Sequence, residues 1–441
     1  MPPPSVPGLA ARIAAARLLG DVATGVRPLD ERIEGEGAFA PYAALGPRDR
    51  TLARSIVVAS LRRMGYLRKV VGAKLDRGMP KKSGGLEWIL VAGAAQLLLM
   101  EQADHAAVDL SVRAAKADPN AAPYAALVNA VLRAIQREGA AALDACDPLD
   151  DGAPPWLAAR WRATYGEDSA RAIAAMHLVE PTLDVTVKSD PEGWAEKLDG
   201  VALPGGSVRL RGHAPIADMP GYADGEWWVQ DAAAALAARI VAAKPGERIA
   251  DLCAAPGGKT AWLAHCGADV VAVEKSAERM RRLAENFGRL RLSADLRIAD
   301  ALTFDAPRFD AVLLDAPCTA TGTIRRHPDV AWTKKPGDVA ALADRQEKLL
   351  DRAARLVKPG GRLVHCVCSL EPEEGERQVA RLLRRDPELR RAPVTADEAR
   401  GFEECLTPEG DVRSLPFHLK GATPRLSGVD GFYVARLVRS A

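Results

Sequence analysis

The sequence has 441 residues, of which 48% are apolar and 27% charged, and its formal net charge at pH 7 is +2. This length allows two or three domains with sizeable cores, and the composition is typical of a soluble globular protein, which excludes bulk disorder. The longest apolar run, Ile89 to Met100, has 12 residues and includes Gln96, so it is too short for a membrane span. Residues 1–5 show no cationic stretch leading into an apolar one, so we expect no secretion signal.

Seven cysteines are too few and too scattered for a disulfide scaffold, and no CxxC pair occurs. We therefore expect reduced thiols and a cytoplasmic protein. Cys366 and Cys368 are separated by one residue, so their side chains would share one face of a regular strand. No second Cys/His cluster stands at ligand spacing from them, which predicts that the protein holds no structural zinc or other metal.

Residues 1–140 are predicted to form an all-helical domain. Apolar residues recur there at spacings of three and four, as in Ile56, Val57 and Leu61, and no strand-like alternation interrupts them. Breaks near Gly46-Pro47, residues 78–80 and residues 119–123 indicate five or six helices.

This N-terminal part is also basic. It holds 19 Lys and Arg against 13 Asp and Glu, and the segment from Arg48 to Lys82 holds 11 basic residues against two acidic ones. Such a local excess is typical of a phosphate-contacting surface, because neutralised phosphates release counterions. A solvated helix face that is kept soluble by its charge would look the same, and composition alone leaves both interpretations open.

A polar, proline-rich stretch from Asp147 to Pro155 indicates a domain boundary. Residues 145–225 are predicted to form a small connecting α+β subdomain, with two helical stretches followed by short β-like runs at 183–187 and 208–210. From residue 226 to 441 strands alternate with helices, which predicts a doubly wound, mostly parallel α/β sheet. The predicted strands are 248–253, 268–273, 296–299, 309–314 and 362–368, with helices at 277–290 and 339–357 and an added edge strand at 431–438.

The first of these strands leads into the loop sequence DLCAAPGGKT, from Asp251 to Thr260. Small residues at this turn let a ligand approach the backbone, and the next helix offers free N–H groups. The loop is neither GxGxxG nor a Walker sequence, which argues against a dinucleotide or a nucleoside triphosphate. Glu274 and Asp300 follow the next two strands, where carboxylates can accept ribose hydroxyls and an adenine amino group. Although each acid alone could be a helix cap, and the loop a tight turn without ligand, their combination favours S-adenosylmethionine.

Two cysteines follow the fourth and fifth strands, in Asp315-Ala-Pro-Cys318 and Cys366-Val-Cys368-Ser369. Adjacent strands would bring Cys318 and Cys368 to one sheet edge, although a single buried cysteine is more often an inert small apolar residue. Carbon 5 of cytosine becomes nucleophilic when a thiolate adds to carbon 6, and a carboxylic acid such as Asp315 at ring N3 would assist that addition. A second thiol could then help the carbon 5 proton to leave.

Four segments carry a resemblance to a known family: DLCAAPGGKT, DAVLLDAPCTATGTIRRHPDVAW (310–332), HCVCSLEPEEGE (365–376) and DGFYVARL (430–437). Together with residues 229–231, they closely resemble the RNA 5-methylcytosine methyltransferases of the Sun/RsmB family, over about residues 145–441. Residues 9–138 resemble the NusB-type RNA-binding domain in helical pattern, charge and the run Leu127 to Arg133. The resemblance implies a NusB-like all-α domain followed by a Rossmann-like methyltransferase domain that uses S-adenosyl-L-methionine.

The resemblance also implies roles for individual residues. The nucleophile would be Cys368 and Cys318 would assist product release, which is the reverse of the Pro-Cys attack in DNA cytosine methyltransferases. Asp315 would serve both as the catalytic acid and as a cofactor contact. The remaining implied cofactor contacts are Cys253, Ala254, Ala255, Pro256, Gly257, Gly258, Lys259, Glu274 and Asp300. Two departures from the family pattern, Glu274 for Asp and Val367 for Thr, remove no catalytic thiol or carboxylate.

The expected partner is RNA, and the resemblance implies small-subunit (16S) ribosomal RNA before full subunit assembly. Arg325 and Arg326 follow the Cys318 motif and could clamp a phosphate beside a flipped-out cytosine, although an ordinary charged loop could have the same sequence. No chemistry is assigned to His327. A tRNA or DNA cytosine methyltransferase and a non-catalytic RNA-binding assembly protein on a methyltransferase scaffold stay open as alternatives.

Overall fold

A computed structural model of the chain describes residues 6–25, 27–34, 37–100, 104–212 and 214–441. The chain forms two compact units. The first contains residues 1–178 and 327–335, and the second contains residues 179–326 and 336–441. Two helices that we expected in a connecting subdomain, Pro155–Tyr165 and Glu167–His177, thus lie in the first unit, as does a short segment from the catalytic part of the sequence.

The first unit is all-helical. Its α-helices are Leu9–Ala23, Leu29–Ile33, Ala40–Ala43, Pro47–Arg62, Met64–Gly72, Leu86–Leu99, Asp104–Lys116, Ala125–Glu138, Pro155–Tyr165, Glu167–His177 and Val330–Thr333. The helix Leu86–Leu99 is apolar nearly all round and is largely buried, as a central helix must be. Single 3-10 turns at Ala122–Tyr124 and Gly139–Leu143 complete the unit. The predicted all-α N-terminal domain is confirmed.

The segment from His327 to Lys335 is bound into this helical unit by specific contacts. The buried carboxylate of Asp329 accepts a hydrogen bond from the Leu29 amide at 3.0 Å. The indole of Trp332 donates to the Leu61 carbonyl at 2.9 Å, and the guanidinium of Arg68 lies 5.9 Å from one of its rings. These contacts explain why nine residues of the later sequence belong to the first unit.

The second unit contains two β-sheets. The smaller is antiparallel, in the order β2-β3-β1-β4, and consists of β1 (Asp184–Val187), β2 (Gly200–Ala202), β3 (Ser207–Leu210) and β4 (Trp227–Val229). The larger has the order β10-β12-β9-β8-β5-β6-β7, with β11 paired to β12. Its strands are β5 (Arg248–Leu252), β6 (Asp269–Glu274), β7 (Asp295–Ile298), β8 (Phe309–Asp315), β9 (Val357–Val367), β10 (Leu389–Arg391), β11 (Val412–Ser414) and β12 (Phe432–Arg439).

Strands β5 to β9 are parallel, and the order reverses between β5 and β8, where doubly wound sheets bind their ligands. Alternate residues of β8 face opposite cores, because side chains of a strand alternate. Val312 and Leu314 pack with Leu349 of one helix layer, whereas Leu313 packs with Leu236 of the other. The helices of the second unit are Pro191–Lys197, Ala232–Ile240, Gly258–His265, Ala277–Leu290, Pro336–Arg355, Glu376–Arg385 and Ala396–Ala399, with 3-10 turns at Ile216–Asp218, Thr321–Thr323, Glu403–Cys405 and Pro424–Leu426.

One strand prediction was wrong. The final strand β12 is not an edge strand, because it pairs with β9 on one side and with β10 and β11 on the other. The near-continuous burial of its residues is the pattern of an interior strand. The short strands that cover it, β10 and β11, each contain arginine and only three residues, so they carried no recognisable strand pattern.

In the ranges given above, every helix is too short or too polar to cross a bilayer. Across those same residues, no three His, Cys, Asp or Glu side chains come together as a metal site would require. All seven cysteines are outside disulfides.

Candidate active site

The loop after β5 turns sharply before the helix Gly258–His265 begins. Cys253 has a positive φ of 65° and Gly257 one of 101°. A Cβ atom at Gly257 would stand 2.8 Å from Cγ of Leu283, so both conformation and space require glycine there. At Gly258 a Cβ atom would lie 3.2 Å from Nε2 of Gln230. The AAPGG sequence therefore holds the backbone close to the sheet edge.

Two carboxylates end the neighbouring strands β6 and β7. Glu274 is 5% exposed, and its Oε1 accepts a hydrogen bond from the Ser276 amide at 2.9 Å. Its Oε2 lies 3.3 Å from Nη1 of Arg279 and accepts no hydrogen bond within the described part of the chain. That oxygen is placed to accept a hydrogen bond from a hydroxyl group of a ligand.

Asp300 lies beside Glu274, just after β7. Lys275 donates to Asp300 at 2.8 Å, and the Leu302 amide donates at 3.1 Å. These two hydrogen bonds lower the pKa of Asp300, so it is an anionic acceptor at neutral pH.

Asp251, within β5, anchors the loop from below. It is 1% exposed, and its Oδ2 accepts a hydrogen bond from the Thr260 hydroxyl at 2.6 Å. Burial raises the pKa of Asp251 to about 7, and the nearby negative charge of Asp315 adds to the effect. Sequence reasoning used Asp251 only to mark the end of the strand.

Asp315, at the end of β8, forms an ion pair with Lys259, which directly follows the AAPGG sequence. Lys259 Nζ lies 2.8 Å from Asp315 Oδ2 and 4.9 Å from the centre of the Phe432 ring. Burial disfavours the ammonium, but the charge and hydrogen bond of Asp315 together with the nearby thiols of Cys366 and Cys368 outweigh it, so the pKa of Lys259 is raised. The other carboxylate oxygen accepts a weak hydrogen bond from the Cys366 thiol at 3.5 Å. The sequence analysis named Asp315 as a catalytic acid and Lys259 as a cofactor contact, but it did not predict that the two residues pair.

The structure brings the two candidate cysteines together. The Sγ atoms of Cys318 and Cys368 are 3.5 Å apart, within hydrogen-bond distance for sulfur. The hydrogen bond to Cys368, together with burial, raises the pKa of Cys318 well above the usual thiol value. Cys318 is therefore a neutral thiol at pH 7, and its S–H can donate to Cys368.

Arg325 and Arg326 point to different surroundings. Arg325 is 1% exposed and its Nη2 lies 3.0 Å from Oδ2 of Asp231, so it faces the interior rather than open solution. Arg326 retains 31% exposure and donates from Nε to both oxygens of Asp430, at 2.8 and 3.0 Å. His327 belongs to the first unit and lies 3.5 Å from Asp30.

The basic segment of the first unit is partly neutralised by acids from elsewhere. Arg68, Lys69 and Lys74 form ion pairs with Glu87, Asp151 and Glu138. The exposed members that form neither an ion pair nor a side-chain hydrogen bond with another described residue are Arg48, Arg54, Arg77, Lys81 and Lys82, whereas exposed Arg50 donates to the Ala43 carbonyl. These five cations remain available for an anionic partner.

Comparisons with known proteins identify the family of the chain. Residues 238–438 match the family described as 16S rRNA methyltransferase RsmB/F, and residues 9–137 match the NusB family. Proteins named ribosomal RNA small subunit methyltransferase B are similar along most of the chain. The one from Xanthomonas campestris pv. campestris is 36% identical and covers 88% of this chain and 91% of its own, and the one from Vibrio cholerae is 34% identical and covers 89% and 90%.

Solved structures share the fold. The crystal structure of PH0851 has a TM-score of 0.73 at 22% identity and covers 98% of this chain and 99% of its own. The structure of NSun6 from Pyrococcus horikoshii with SFG has a TM-score of 0.55 at 18% identity and covers 65% and 98%. These structures show a shared fold only. The sequence relatives, at 36% and 34% identity over most of the chain, show the family. The chain belongs to the 16S rRNA methyltransferase RsmB/F family and carries a NusB-family domain ahead of its methyltransferase domain.

Proposed function

We propose that this protein transfers the methyl group of S-adenosylmethionine to carbon 5 of a cytosine in small-subunit (16S) ribosomal RNA. The observation that carries the proposal is the pair of thiols, Cys318 and Cys368, 3.5 Å apart beside the Asp315–Lys259 ion pair. Family membership supports the same reaction. A carboxylate and two thiols at one sheet edge suit attack on a pyrimidine ring, which needs a nucleophile, an acid and a group to help remove a proton.

The residues around the loop fit S-adenosylmethionine, which supplies an electrophilic methyl group. Oε2 of Glu274, which accepts no hydrogen bond from the described residues, would accept one from a ribose hydroxyl, and Asp300 would accept one from the adenine amino group. Residues 253–259 would line the remainder of the ligand. The lack of a pyrophosphate-binding glycine pattern agrees with a ligand that carries no phosphate.

The thiols and Asp315 divide the work on the cytosine. The Cys368 thiolate forms a bond to carbon 6, and the carboxylic acid form of Asp315 donates a hydrogen bond to N3, which draws the displaced ring electrons toward N3 and makes carbon 5 the nucleophilic carbon of an enamine. Lys259 orients that carboxylate through the 2.8 Å contact. After carbon 5 is methylated, its proton leaves to a solvent base that the neutral Cys318 thiol admits to carbon 5. The carbon–sulfur bond then breaks, which restores the ring and the Cys368 thiolate.

Arg326 and Arg325 take separate roles in this proposal. Arg326 is partly exposed and can exchange one contact with Asp430 for a phosphate of the substrate. Arg325, which we expected to share that contact, instead fixes the loop after Cys318 through its ion pair with Asp231.

The helical unit supplies general affinity for RNA. The five unpaired exposed cations of its segment from Arg48 to Lys82 would neutralise phosphates outside the reacting nucleotide. Because the target base must leave its stack, the substrate is expected to be a loop or a single-stranded stretch of rRNA not yet covered by full assembly of the subunit. Such a substrate places the enzyme in the cytoplasm.

The proposal is tested by offering the purified protein labelled S-adenosylmethionine with protein-free 16S RNA, tRNA and duplex DNA in parallel. Digestion to nucleosides and mass spectrometry should find 5-methylcytidine in the 16S RNA at close to one per molecule. Preferred methylation of tRNA or DNA would refute the substrate, and no transfer to any of the three would favour a non-catalytic RNA-binding protein.

A further inference from the structure

A buried carboxylate behind the two thiols is not part of the chemistry described so far. Glu374 lies in the segment that follows Cys368 and is fully buried. Its Oε1 accepts hydrogen bonds from the Thr319 amide at 2.9 Å and from Nε2 of Gln346 at 3.2 Å. Its Oε2 accepts from the hydroxyls of Thr319 and Ser369, both at 2.5 Å.

The partners of Glu374 stand directly next to the reactive residues. Thr319 follows Cys318 in the chain and Ser369 follows Cys368. Gln346 also donates to the carbonyl of Pro317, on the other side of Cys318, at 2.9 Å. One carboxylate therefore holds the backbone beside both thiols.

A structural role alone does not require a charged group at this place. A buried carboxylate costs free energy unless several donors compensate it, and an apolar side chain of similar size is often as stable. Here four donors converge on the carboxylate: three come from the two loops that carry one cysteine each, and the fourth, Gln346, comes from the helix Pro336–Arg355. Burial raises the pKa of Glu374, while the hydrogen bonds from Ser369 and Thr319 favour its anionic form.

We propose that Glu374 is a positioning residue that sets the spacing of the two thiols, so that one cytosine can meet both. This inference rests on the proposed function, because the spacing matters only if one cytosine meets both thiols, but the spacing itself can be measured without RNA. Glutamine at this position would keep the shape and one acceptor oxygen. Its amide nitrogen would then face either the N–H donors of Thr319 and Gln346 or the hydroxyls of Thr319 and Ser369. Some of the hydrogen bonds that link the two loops would therefore be lost.

Trivalent phenylarsine oxide reports the spacing directly, because arsenic forms two As–S bonds with paired thiols and releases one water. Binding would be measured by calorimetry on the full-length protein for wild type, Glu374→Gln and the neighbouring control Glu373→Gln. Glu373 precedes Glu374 in the chain, is partly exposed and pairs with Arg377 at 3.0 Å. Cys318→Ser and Cys368→Ser define the signal that belongs to this thiol pair.

We expect wild type and Glu373→Gln to bind the arsenical equally, both cysteine variants to lose the tight site, and Glu374→Gln to bind at least tenfold more weakly. Single-turnover methyl transfer should fall at least tenfold in Glu374→Gln, with the KM for S-adenosylmethionine unchanged. Arsenical binding as tight as wild type in Glu374→Gln would overturn the proposal, whatever happens to the rate.

A milder pair of variants guards against misfolding. Thr319→Ser keeps the hydroxyl that donates to Glu374, and Thr319→Val removes it with little change of volume. The serine variant should behave as wild type in both assays and the valine variant should resemble Glu374→Gln; equal behaviour of the two would contradict the positioning role. If wild type binds the arsenical but methylates no RNA, the proposed function fails while the spacing inference still stands.

Discussion

Replacing Asp231 by asparagine should strongly destabilise the second unit. Asp231 and Arg325 are 0% and 1% exposed, with 3.0 Å between the carboxylate and the guanidinium. Asparagine keeps the oxygen that accepts from the Ala233 amide at 2.9 Å, so the cap of the helix Ala232–Ile240 is preserved. The substitution therefore removes the charge and replaces Oδ2, which accepts from Arg325 and from the Asp430 amide, by an N–H donor.

The expected loss follows from the burial of the pair. Breaking a buried ion pair by removing one partner costs about 3–5 kcal/mol, because the other charge stays in a medium of low polarity. Asp430, 3.9 Å from Arg325, is already bound by Arg326 and can compensate only in part. For a unit of roughly 250 residues each kcal/mol lowers Tm by about 2–4 °C, so the expected decrease in Tm is roughly 6–20 °C.

The assay is thermal and urea unfolding of the full-length variant, followed by calorimetry and fluorescence. Asp199→Asn is the matched control in the same unit, since its pair with Arg211 at 3.2 Å is 81% and 52% exposed and should contribute less than about 1 kcal/mol. A Tm for Asp231→Asn within about 2 °C of the control would refute the view that this pair stabilises the loop after Cys318.

Three further predictions test other parts of the molecule. Glu274→Ala should weaken binding of S-adenosylmethionine about 10- to 150-fold in a calorimetric titration, since a hydrogen bond to a charged group contributes about 1.5–3 kcal/mol; an unchanged Kd would remove Glu274 from the ligand site. Replacing three unpaired cations of the helical unit by glutamine should reduce the slope of log K for RNA against log salt by about 2, whereas Arg384→Gln should not change it; the three are Arg77, Lys81 and Lys82. The pKa of buried His365 is lowered to about 4, mainly by burial, so below pH 6.5 the unfolded chain takes up a proton that the folded chain resists. The stability that neutral, buried His365 contributes is fully present above pH 6.5 and decreases by up to about 3 kcal/mol as the pH falls toward 4. In urea unfolding between pH 7 and 5, His365→Leu should lack this decrease. The same pH dependence in both proteins would contradict the assignment.

The strands β5, β6 and β8 could be predicted because they are buried along most of their length and their sequences are nearly continuous apolar runs. The predicted ends of β5, β6 and β8 lie within one residue of those observed, which is why Glu274 and Asp315 could be placed at the sheet edge. The strands β10 and β11 could not be predicted, since each is three residues long and is stabilised by pairing with β12 rather than by its own pattern.

The contacts within the candidate site were less accessible to sequence reasoning. Lys259 and Asp315 are 56 residues apart, and Glu374 and Thr319 are 55 residues apart, so no local spacing joins them. Arg325 and Arg326 are identical neighbours in the sequence, and only distant acids, Asp231 and Asp430, make one of them interior and leave the other partly exposed. In the segment LEPEEGE the sequence alone does not distinguish Glu374, which is fully buried, from its partly exposed neighbour Glu373.

The central claim is that Cys368 attacks the cytosine and Cys318 assists release. The most direct test incubates wild type, Cys368→Ser, Cys318→Ser and the control Cys146→Ser with S-adenosylmethionine and protein-free 16S RNA, and follows both methyl transfer and covalent protein–RNA adducts on denaturing gels. The account predicts that Cys368→Ser neither methylates nor forms an adduct, that Cys318→Ser accumulates an adduct, and that Cys146→Ser behaves as wild type. An adduct that accumulates with Cys368→Ser instead would reverse the two roles and contradict the account.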